Sequence, residues 1–234
     1  MKYFCIGHNK CATSTLTTTF KANKISSHHG PMNWNLQDYD SFSDTGGVPF
    51  ISSDKKNKII HHSTNLQEHH SYTCKDFDIG NLIWLDELFN GSIFIYNMRS
   101  LEGWMLSRIL HGLRLGGEIN QFFPATDAML LDWICMRDYY MKKVFEYFST
   151  SSSSLVLVDI GHSSWVDFLI DFLGFKKGPS LPPRNVTREN KELSYSNLIS
   201  FYNKHGISKR ERESVIPSDL IDISKNFPSN ISYE

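Results

Sequence analysis

The residues best suited to chemistry lie near the start of the chain, where a lysine and several hydroxyl side chains follow a short apolar segment. Residues 3–6 are apolar and end at Gly7, and Lys10 follows three residues later, before Cys11-Ala12-Thr13-Ser14-Thr15. If a strand turns here into a helix, the unpaired N–H groups of the first helical turn and the positive end of its dipole face the same space. This arrangement predicts a site for an anion such as phosphate.

A second group of this kind lies in the middle of the chain. An apolar run ends at Arg99, and Ser107 follows eight residues later, about two turns into a predicted helix. Ligands of parallel sheets gather outside the carboxyl ends of the strands. An arginine fork and a hydroxyl at that edge are suited to holding a second phosphate. The alternatives are a solvated Lys10 on a plain strand–turn–helix and an Arg99 that only caps its strand.

The elements that must position these residues alternate along the chain. Near-continuous apolar runs such as residues 92–99 and 155–160 are typical of strands covered on both faces. The alternation predicts an α/β fold with a central parallel sheet. The predicted strands cover residues 2–7, 24–29, 92–99 and 155–160, and the predicted helices cover residues 13–22, 84–89, 101–115, 125–148 and 164–175. Residues 30–75 are predicted to form a polar, irregular loop, and residues 176–234 to hold one or two small helices or partly disordered segments.

Composition narrows the class of protein. A chain of 234 residues that is 40% hydrophobic is large enough for the core of one domain. A net charge of −1 predicts no nucleic-acid partner. Four cysteines without a C-x-x-C pair favour a reduced protein, and neither a leader peptide nor a membrane span is expected. The expected location is the cytoplasm, and the sequence leaves the oligomeric state open.

Taken together, the two groups resemble the donor site of sulfotransferases that use 3′-phosphoadenosine 5′-phosphosulfate. Their loop reads roughly K-x-G-T-[TS]-x-L, where this chain has Lys-Cys-Ala-Thr-Ser-Thr-Leu over residues 10–16. Their 3′-phosphate site is an arginine followed eight residues later by a serine, as in Arg99 and Ser107, and Trp104 lies between these as in many small members. Two positions depart from the pattern: Ala12 replaces the loop glycine, and Ser100-Leu101 replaces Asp-Pro.

The resemblance covers roughly residues 1–190 and implies a three-layer α/β/α fold like that of P-loop NTPases. Residues 191–234 match nothing in the family and are assigned to a C-terminal extension of a single domain, residues 1–234. The residues do not match the usual phosphate loop G-x-x-x-x-G-K-[ST], because Lys10 comes three residues after Gly7 and no glycine directly precedes it. An ordinary ATPase or kinase is therefore disfavoured.

The activity implied by the resemblance is sulfuryl transfer from 3′-phosphoadenosine 5′-phosphosulfate to a hydroxyl or amine by in-line displacement. Adenosine 3′,5′-bisphosphate leaves, and no metal is required. Lys10 would stabilise the departing phosphate, Arg99 and Ser107 would hold the 3′-phosphate, and the loop would hold the 5′-phosphate. The acceptor, a small molecule or a glycan, is not specified. The loop residues implied in binding are Lys10, Cys11, Ala12, Thr13, Ser14 and Thr15.

A general base would assist the acceptor, and histidine accepts protons near neutral pH. His28 and His29 end the predicted second strand and are the preferred candidates, followed by Asp44; alternatively, the histidines only occupy a polar loop. The histidine pairs at 61–62 and 69–70 lack the tight spacing of a structural zinc site. The helix N-terminus also predicts a lowered pKa for the Cys11 thiol, although the backbone N–H of Cys11 is expected to matter more than its sulfur.

Two other functions compete with sulfuryl transfer. The first is a kinase with an atypical phosphate loop, which would need a carboxylate for magnesium; Asp159 at a strand end is the candidate. The second is a relative that binds nucleotide without transferring a group, for which Ala12 is the main support.

Overall fold

Five parallel strands form the central sheet. The computed structural model describes residues 1–8, 11–29, 38–43, 50–51, 59–60, 79–114, 126–176 and 191–231. The strands are β1 (Tyr3–Cys5), β2 (Ser27–His29), β3 (Ser41–Ser43), β4 (Phe50–Ile51), β5 (Ile59–Ile60), β6 (Ile93–Met98) and β7 (Ser154–Asp159). The central sheet has the order β2-β3-β1-β6-β7 with every pairing parallel, and β4 and β5 form a separate antiparallel pair. The predicted α/β class is therefore confirmed.

Helices surround this sheet. They are α1 (Thr13–Ala22), α2 (Gly80–Leu88), α3 (Leu101–Arg114), α4 (Asp127–Phe148), α5 (Trp165–Leu173), α6 (Lys191–Lys204), α7 (Lys209–Glu213) and α8 (Ile221–Ser224), the last preceded by a 3₁₀ turn at Ser218–Leu220. Predicted helix 13–22 coincides with α1, and the predicted helices near residues 101 and 125 correspond to α3 and α4. No helix in these ranges is long and apolar enough to cross a membrane.

Alternation along the strands divides the core into two layers. Phe94 and Tyr96 of β6 face one side of the sheet, where they pack with α4 residues such as Phe145. Ile95 faces the other side, where it packs with Leu16 of α1 and with α5. Because both faces are covered, the strands are apolar throughout. The result is a three-layer α/β/α arrangement.

Strand β3 lies in the segment predicted to be irregular. Ser41, Phe42 and Ser43 are all buried, and β3 pairs with both β1 and β2. The hydroxyls of its two serines have partners within the fold. Ser41 Oγ donates to Ser27 Oγ at 2.7 Å, and Ser43 Oγ contacts Thr17 Oγ1. Serine has little intrinsic preference for strands. Tertiary pairing rather than local propensity therefore creates this strand.

The C-terminal extension packs against the sheet and the helices that carry the arginines. Leu157 N donates to Pro228 O at 2.9 Å, and Ser229 forms a parallel bridge to Leu157. The side chain of Asn230 bonds both backbone groups of Asp159, at 2.7 and 3.1 Å. The extension thus adds to the open edge of β7 and fixes its carboxyl end, which composition alone did not predict.

The cysteines differ in oxidation state. Cys5 and Cys11 are free and buried, whereas Cys135 is disulfide-bonded. The prediction of a fully reduced chain is therefore wrong for Cys135. Stable disulfides are typical of oxidising compartments, and the cytoplasmic location stays a prediction.

Candidate functional site

The chain changes direction across the sheet between β1 and β6. After β1 it passes through α1 to β2 and β3 on one side, and after β6 it passes through α3 and α4 to β7 on the other. Such a switch point opens a crevice outside the carboxyl ends of the two strands, where ligands of open α/β sheets bind. The β1–α1 loop, described here at residues 6–8 and 11–12, and Arg99 both follow strands that border this crevice.

Asn97 of β6 joins the two ends of the β1–α1 loop. Its Oδ1 accepts a hydrogen bond from Gly7 N at 3.2 Å, and its Nδ2 donates to Cys11 O. The side chain is fully buried. A buried amide whose two ends both bond backbone groups stabilises a single loop geometry, because each unmade bond would leave a desolvated polar atom. Asn97 therefore positions the loop at the crevice.

Gly7 allows the loop to cross β6 in close contact. A Cβ atom at this position would lie 2.1 Å from Asn97 O and 2.6 Å from Asn97 Oδ1. Neither atom can move easily, because both belong to a buried strand. Gly7 is thus required for the close approach of two backbones.

Ala12 has a left-handed backbone conformation, which glycine adopts more readily than alanine does. Its φ is 61° and its ψ is 28°, the left-handed region, and it caps α1 without a side-chain hydrogen bond. Its carbonyl accepts hydrogen bonds from Thr15 N and Leu16 N, each at 3.0 Å. The methyl group of an L-residue in this region costs about 1 kcal/mol. The loop keeps its turn despite this strain.

We expect Ala12→Gly to stabilise the protein. Glycine removes the left-handed strain, which outweighs its extra freedom in the unfolded chain, so the free energy of unfolding should rise by about 1 kcal/mol. Ala22→Gly, at the helical end of α1, is the matched control and should lower it by about 0.5–1 kcal/mol. Urea unfolding measures both. Equal losses in the two variants would contradict a left-handed Ala12.

A network of hydroxyls and one imidazole lies beside the start of α1. Ser14 Oγ and His29 Nε2 are 3.1 Å apart, and His29 Nδ1 lies 3.4 Å from Ser43 Oγ. Ser43 Oγ also contacts Thr17 Oγ1. The structure thus brings His29 together with Ser14, two residues singled out in the sequence. Thr13 is buried and Thr15 half-buried in the same turn.

His28 has different surroundings from His29. Its ring packs against Tyr39 and Phe42, with centroids 5.1 and 6.4 Å apart. Successive residues of a strand point to opposite faces, which separates the two histidines. Of this pair, His29 is the one in contact with the first turn of α1.

The Cys11 thiol is not activated. It is 1% exposed, and burial raises its pKa to about 12 although the charges of Arg99, Arg137 and Arg108 lower it. The expected lowering of the Cys11 pKa is therefore wrong, because desolvation outweighs the helix N-terminus and the three arginines. The same interactions show that three guanidinium groups are electrostatically close to the loop.

His8 lies in a cage of aromatic rings inside the loop. Its Nε2 is 2.9 Å from Tyr96 OH, and its ring contacts Trp104 and Tyr140 at centroid distances of 5.3 and 5.5 Å. Burial, together with the charges of Arg137 and Arg108, lowers the pKa of His8 to about 3. His8 is therefore neutral at pH 7 and a poor proton acceptor. Its contacts fix the loop between Gly7 and α1.

Helix α3 begins directly after Arg99. Ser100 Oγ accepts a hydrogen bond from Gly103 N at 3.2 Å, and Leu101 N donates to Ser214 O at 3.1 Å. Ser100 thus caps the first turn of α3 with its side chain. Ser107 is half-buried on α3. At the end of β7, Asp159 Oδ1 accepts a hydrogen bond from Gly161 N at 2.7 Å.

Several predicted residues lie outside the described part of the chain. They include Lys10, Asp44 and the histidines at 61–62 and 69–70. Among the described residues, no three histidine, cysteine or carboxylate side chains group as metal ligands. The roles given to Lys10 and Asp44 remain predictions.

Sequence reasoning missed Asn97, His8, Arg108 and Arg137. Asn97 left a signal, since it is polar within an otherwise apolar strand. His8 directly follows Gly7 in the predicted loop. Arg137 looked like one of many polar positions of a long helix, yet it is 3% exposed and donates to Val215 O at 2.6 Å.

A polar cavity of about 450 Å³ lies at the opposite edge of the sheet, near the amino ends of β6 and β7. Asp86 is its buried carboxylate, and Oδ2 accepts hydrogen bonds from Tyr147 OH at 2.6 Å and Ser151 Oγ at 2.7 Å. These hydroxyls satisfy the carboxylate oxygen. Because the cavity lies at the amino ends of the strands and the crevice between β1 and β6 at their carboxyl ends, the two are separate.

Comparison with known proteins returned no relative: no family model, curated protein or solved structure matches this chain.

Proposed function

We propose that this protein is a sulfotransferase that takes its sulfuryl group from 3′-phosphoadenosine 5′-phosphosulfate. The observation that carries the proposal is the bridge from Asn97 to the β1–α1 loop. It holds the β1–α1 loop against β6, the strand that Arg99 directly follows. Neighbouring strands lie about 4.8 Å apart, so one doubly phosphorylated nucleotide is long enough to reach both groups.

Electrostatics support the choice of an anionic ligand. The charges of Arg99 and Arg108 act on the Cys11 thiol, as does that of Arg137, which pairs with Asp138; the carboxylate of Asp159 acts in the opposite direction. The whole chain carries a net charge of −1, so this group of arginines is a local feature. A donor with two phosphates suits such a local field.

The proposed reaction is an in-line displacement at sulfur. An acceptor oxygen or nitrogen forms a bond to sulfur, the bond from sulfur to the 5′-phosphate oxygen breaks, and adenosine 3′,5′-bisphosphate leaves. Lys10 neutralises the charge on that leaving oxygen, as expected for a reaction governed by positioning and charge stabilisation. The acceptor proton passes to a base, for which His29 is the proposed residue. Its contact with Ser14 supports this role.

Isothermal titration with adenosine 3′,5′-bisphosphate tests the proposal. We expect wild-type protein to bind, and Lys10→Ala with Arg99→Ala to bind at least about 100-fold more weakly, since each charged hydrogen bond contributes about 1.5–3 kcal/mol. The control pairs Lys142→Ala with Arg210→Ala, which removes the same charge from exposed positions. No binding by wild type, or equal binding by both double variants, would reject the proposal.

The kinase alternative predicts a different ligand. ATP with magnesium should then raise the unfolding temperature more than adenosine 3′,5′-bisphosphate does. Asp159, its candidate metal carboxylate, already accepts a hydrogen bond from Gly161 N. A relative that binds the donor without turning it over would instead bind bisphosphate and transfer no sulfuryl group to any acceptor in a broad panel.

A further inference from the structure

Arg108 of α3 lies against two tryptophan rings. Its Cζ is 5.1 Å from the centroid of Trp104 and 4.1 Å from that of Trp133. Both tryptophans are almost fully buried, at 2% exposure. Cation–π attraction to two indole faces restricts the guanidinium to one region. The side chain is thus pre-positioned rather than extended into solvent.

The charge of Arg108 is not compensated within the described residues. No carboxylate there forms an ion pair with it, whereas Arg137 pairs with Asp138 at 2.7 Å and Arg212 with Glu102 at 3.5 Å. Burial lowers the pKa of Arg108 to about 10. A desolvated cation without a counter-charge is unfavourable, and a bound anion would compensate it.

A buried hydrogen-bond donor lies in the same stack. The indole Nε1 of Trp133 is buried, and no described residue accepts its hydrogen bond. Buried donors are rarely left unpaired in proteins. Among the described residues, the stack therefore holds a cation without an ion-pair partner and a donor without an acceptor.

The location of Arg108 connects this demand to the loop. It follows Ser107 directly, and its charge acts on both His8 and Cys11 of the β1–α1 loop. Trp104, one of the two rings against the guanidinium, contacts the His8 ring at a centroid distance of 5.3 Å. Arg108 therefore lies beside the part of the loop that packs against α3.

We propose that Arg108 binds an anionic group of a ligand, a phosphate, sulfate or carboxylate, in a subsite beside the β1–α1 loop. The inference deepens the proposed function. It rests on that function only for the identity of the ligand, and not for the binding of an anion by Arg108. The anion has two possible sources: the second phosphate of the donor nucleotide, or an anionic group on the acceptor. In the second case the acceptor class is restricted to negatively charged molecules.

The test compares wild type with Arg108→Gln, with Arg210→Gln as the control that removes an exposed arginine. Titrations use inorganic sulfate, adenosine 5′-monophosphate and adenosine 3′,5′-bisphosphate. We expect Arg108→Gln to lose about tenfold or more in affinity for a probe that carries the relevant anion, and Arg210→Gln to match wild type. Arg108→Lys keeps the charge but not the planar stack and should retain part of the affinity.

The two sources give different patterns. Loss of bisphosphate affinity with unchanged monophosphate affinity assigns Arg108 to the donor's second phosphate. Unchanged nucleotide affinity, with loss of sulfate binding in the presence of saturating bisphosphate, assigns it to the acceptor. Sulfate binding that depends on Arg108 in a protein that binds neither nucleotide would keep this inference and reject the sulfotransferase proposal. No difference between Arg108→Gln and Arg210→Gln with any probe overturns it.

Discussion

Replacement of Gly7 by alanine is expected to lower the free energy of unfolding by about 3 kcal/mol or more. The new Cβ would lie 2.1 Å from Asn97 O and 2.7 Å from Asn97 N, both backbone atoms of the central strand β6. A flexible side chain would move away from such a contact, but a buried strand paired on both sides has no room to do so. Guanidinium unfolding measures the loss, which is a large share of the roughly 5–15 kcal/mol that stabilises a typical domain.

Gly103→Ala is the control for this experiment. There a Cβ would meet side-chain atoms only, Ser100 Oγ at 3.0 Å and Arg99 Nε at 3.5 Å. Alanine is also the better helix former, so the unfolding free energy should change by less than about 1 kcal/mol. If Gly7→Ala were as mild as Gly103→Ala, the close approach of the loop to β6 would be wrong.

Removal of the Asn97 amide is expected to have the second largest effect. Asn97→Ala leaves Gly7 N–H and Cys11 C=O without their partners in a buried place, at a cost of about 1–3 kcal/mol each. The unfolding free energy should therefore fall by about 2–5 kcal/mol. Hydrogen exchange adds a local measurement, because the Gly7 amide should exchange much faster in the variant.

Two comparisons make the Asn97 experiment specific. Asn203→Ala removes an exposed asparagine of α6 and should leave both stability and Gly7 exchange unchanged. Asn97→Asp keeps an acceptor for Gly7 N–H but places a carboxylate against Cys11 O, so it should not restore the loop. Unchanged Gly7 exchange in Asn97→Ala would show that the amide does not position the loop.

These residues explain how the crevice between β1 and β6 is bordered by a loop that is not glycine-rich. The loop has one glycine, and its remaining geometry comes from Asn97, the rings around His8 and the left-handed Ala12. Each is a tertiary interaction or a tolerated strain rather than a local preference. The described ends of the loop are thus held by β6, which Arg99 follows, and by Trp104 of α3, the helix that carries Arg108.

Local signals predicted the elements that repeat a clear pattern. The apolar runs at β6 and β7 and the helix at 13–22 were found because burial on both faces and helical spacing appear directly in residue type. Strand β3 was missed, since two of its three residues are serines whose hydroxyls are satisfied only once β2 and α1 are in place. The C-terminal extension was left unassigned because its contacts lie on β7, far away in sequence.

The sequence by itself determined the class of fold, the strand–loop–helix at the start of the chain and the placement of Arg99 after a buried strand. These follow from periodicity and polarity, which act between near neighbours along the chain. Only the tertiary structure decided that Asn97 holds the loop and that His29 rather than His28 contacts Ser14. It also decided that desolvation raises the pKa of the Cys11 thiol and keeps His8 neutral at pH 7. Burial and partners are properties of the assembled core, and no spacing within a segment contains them.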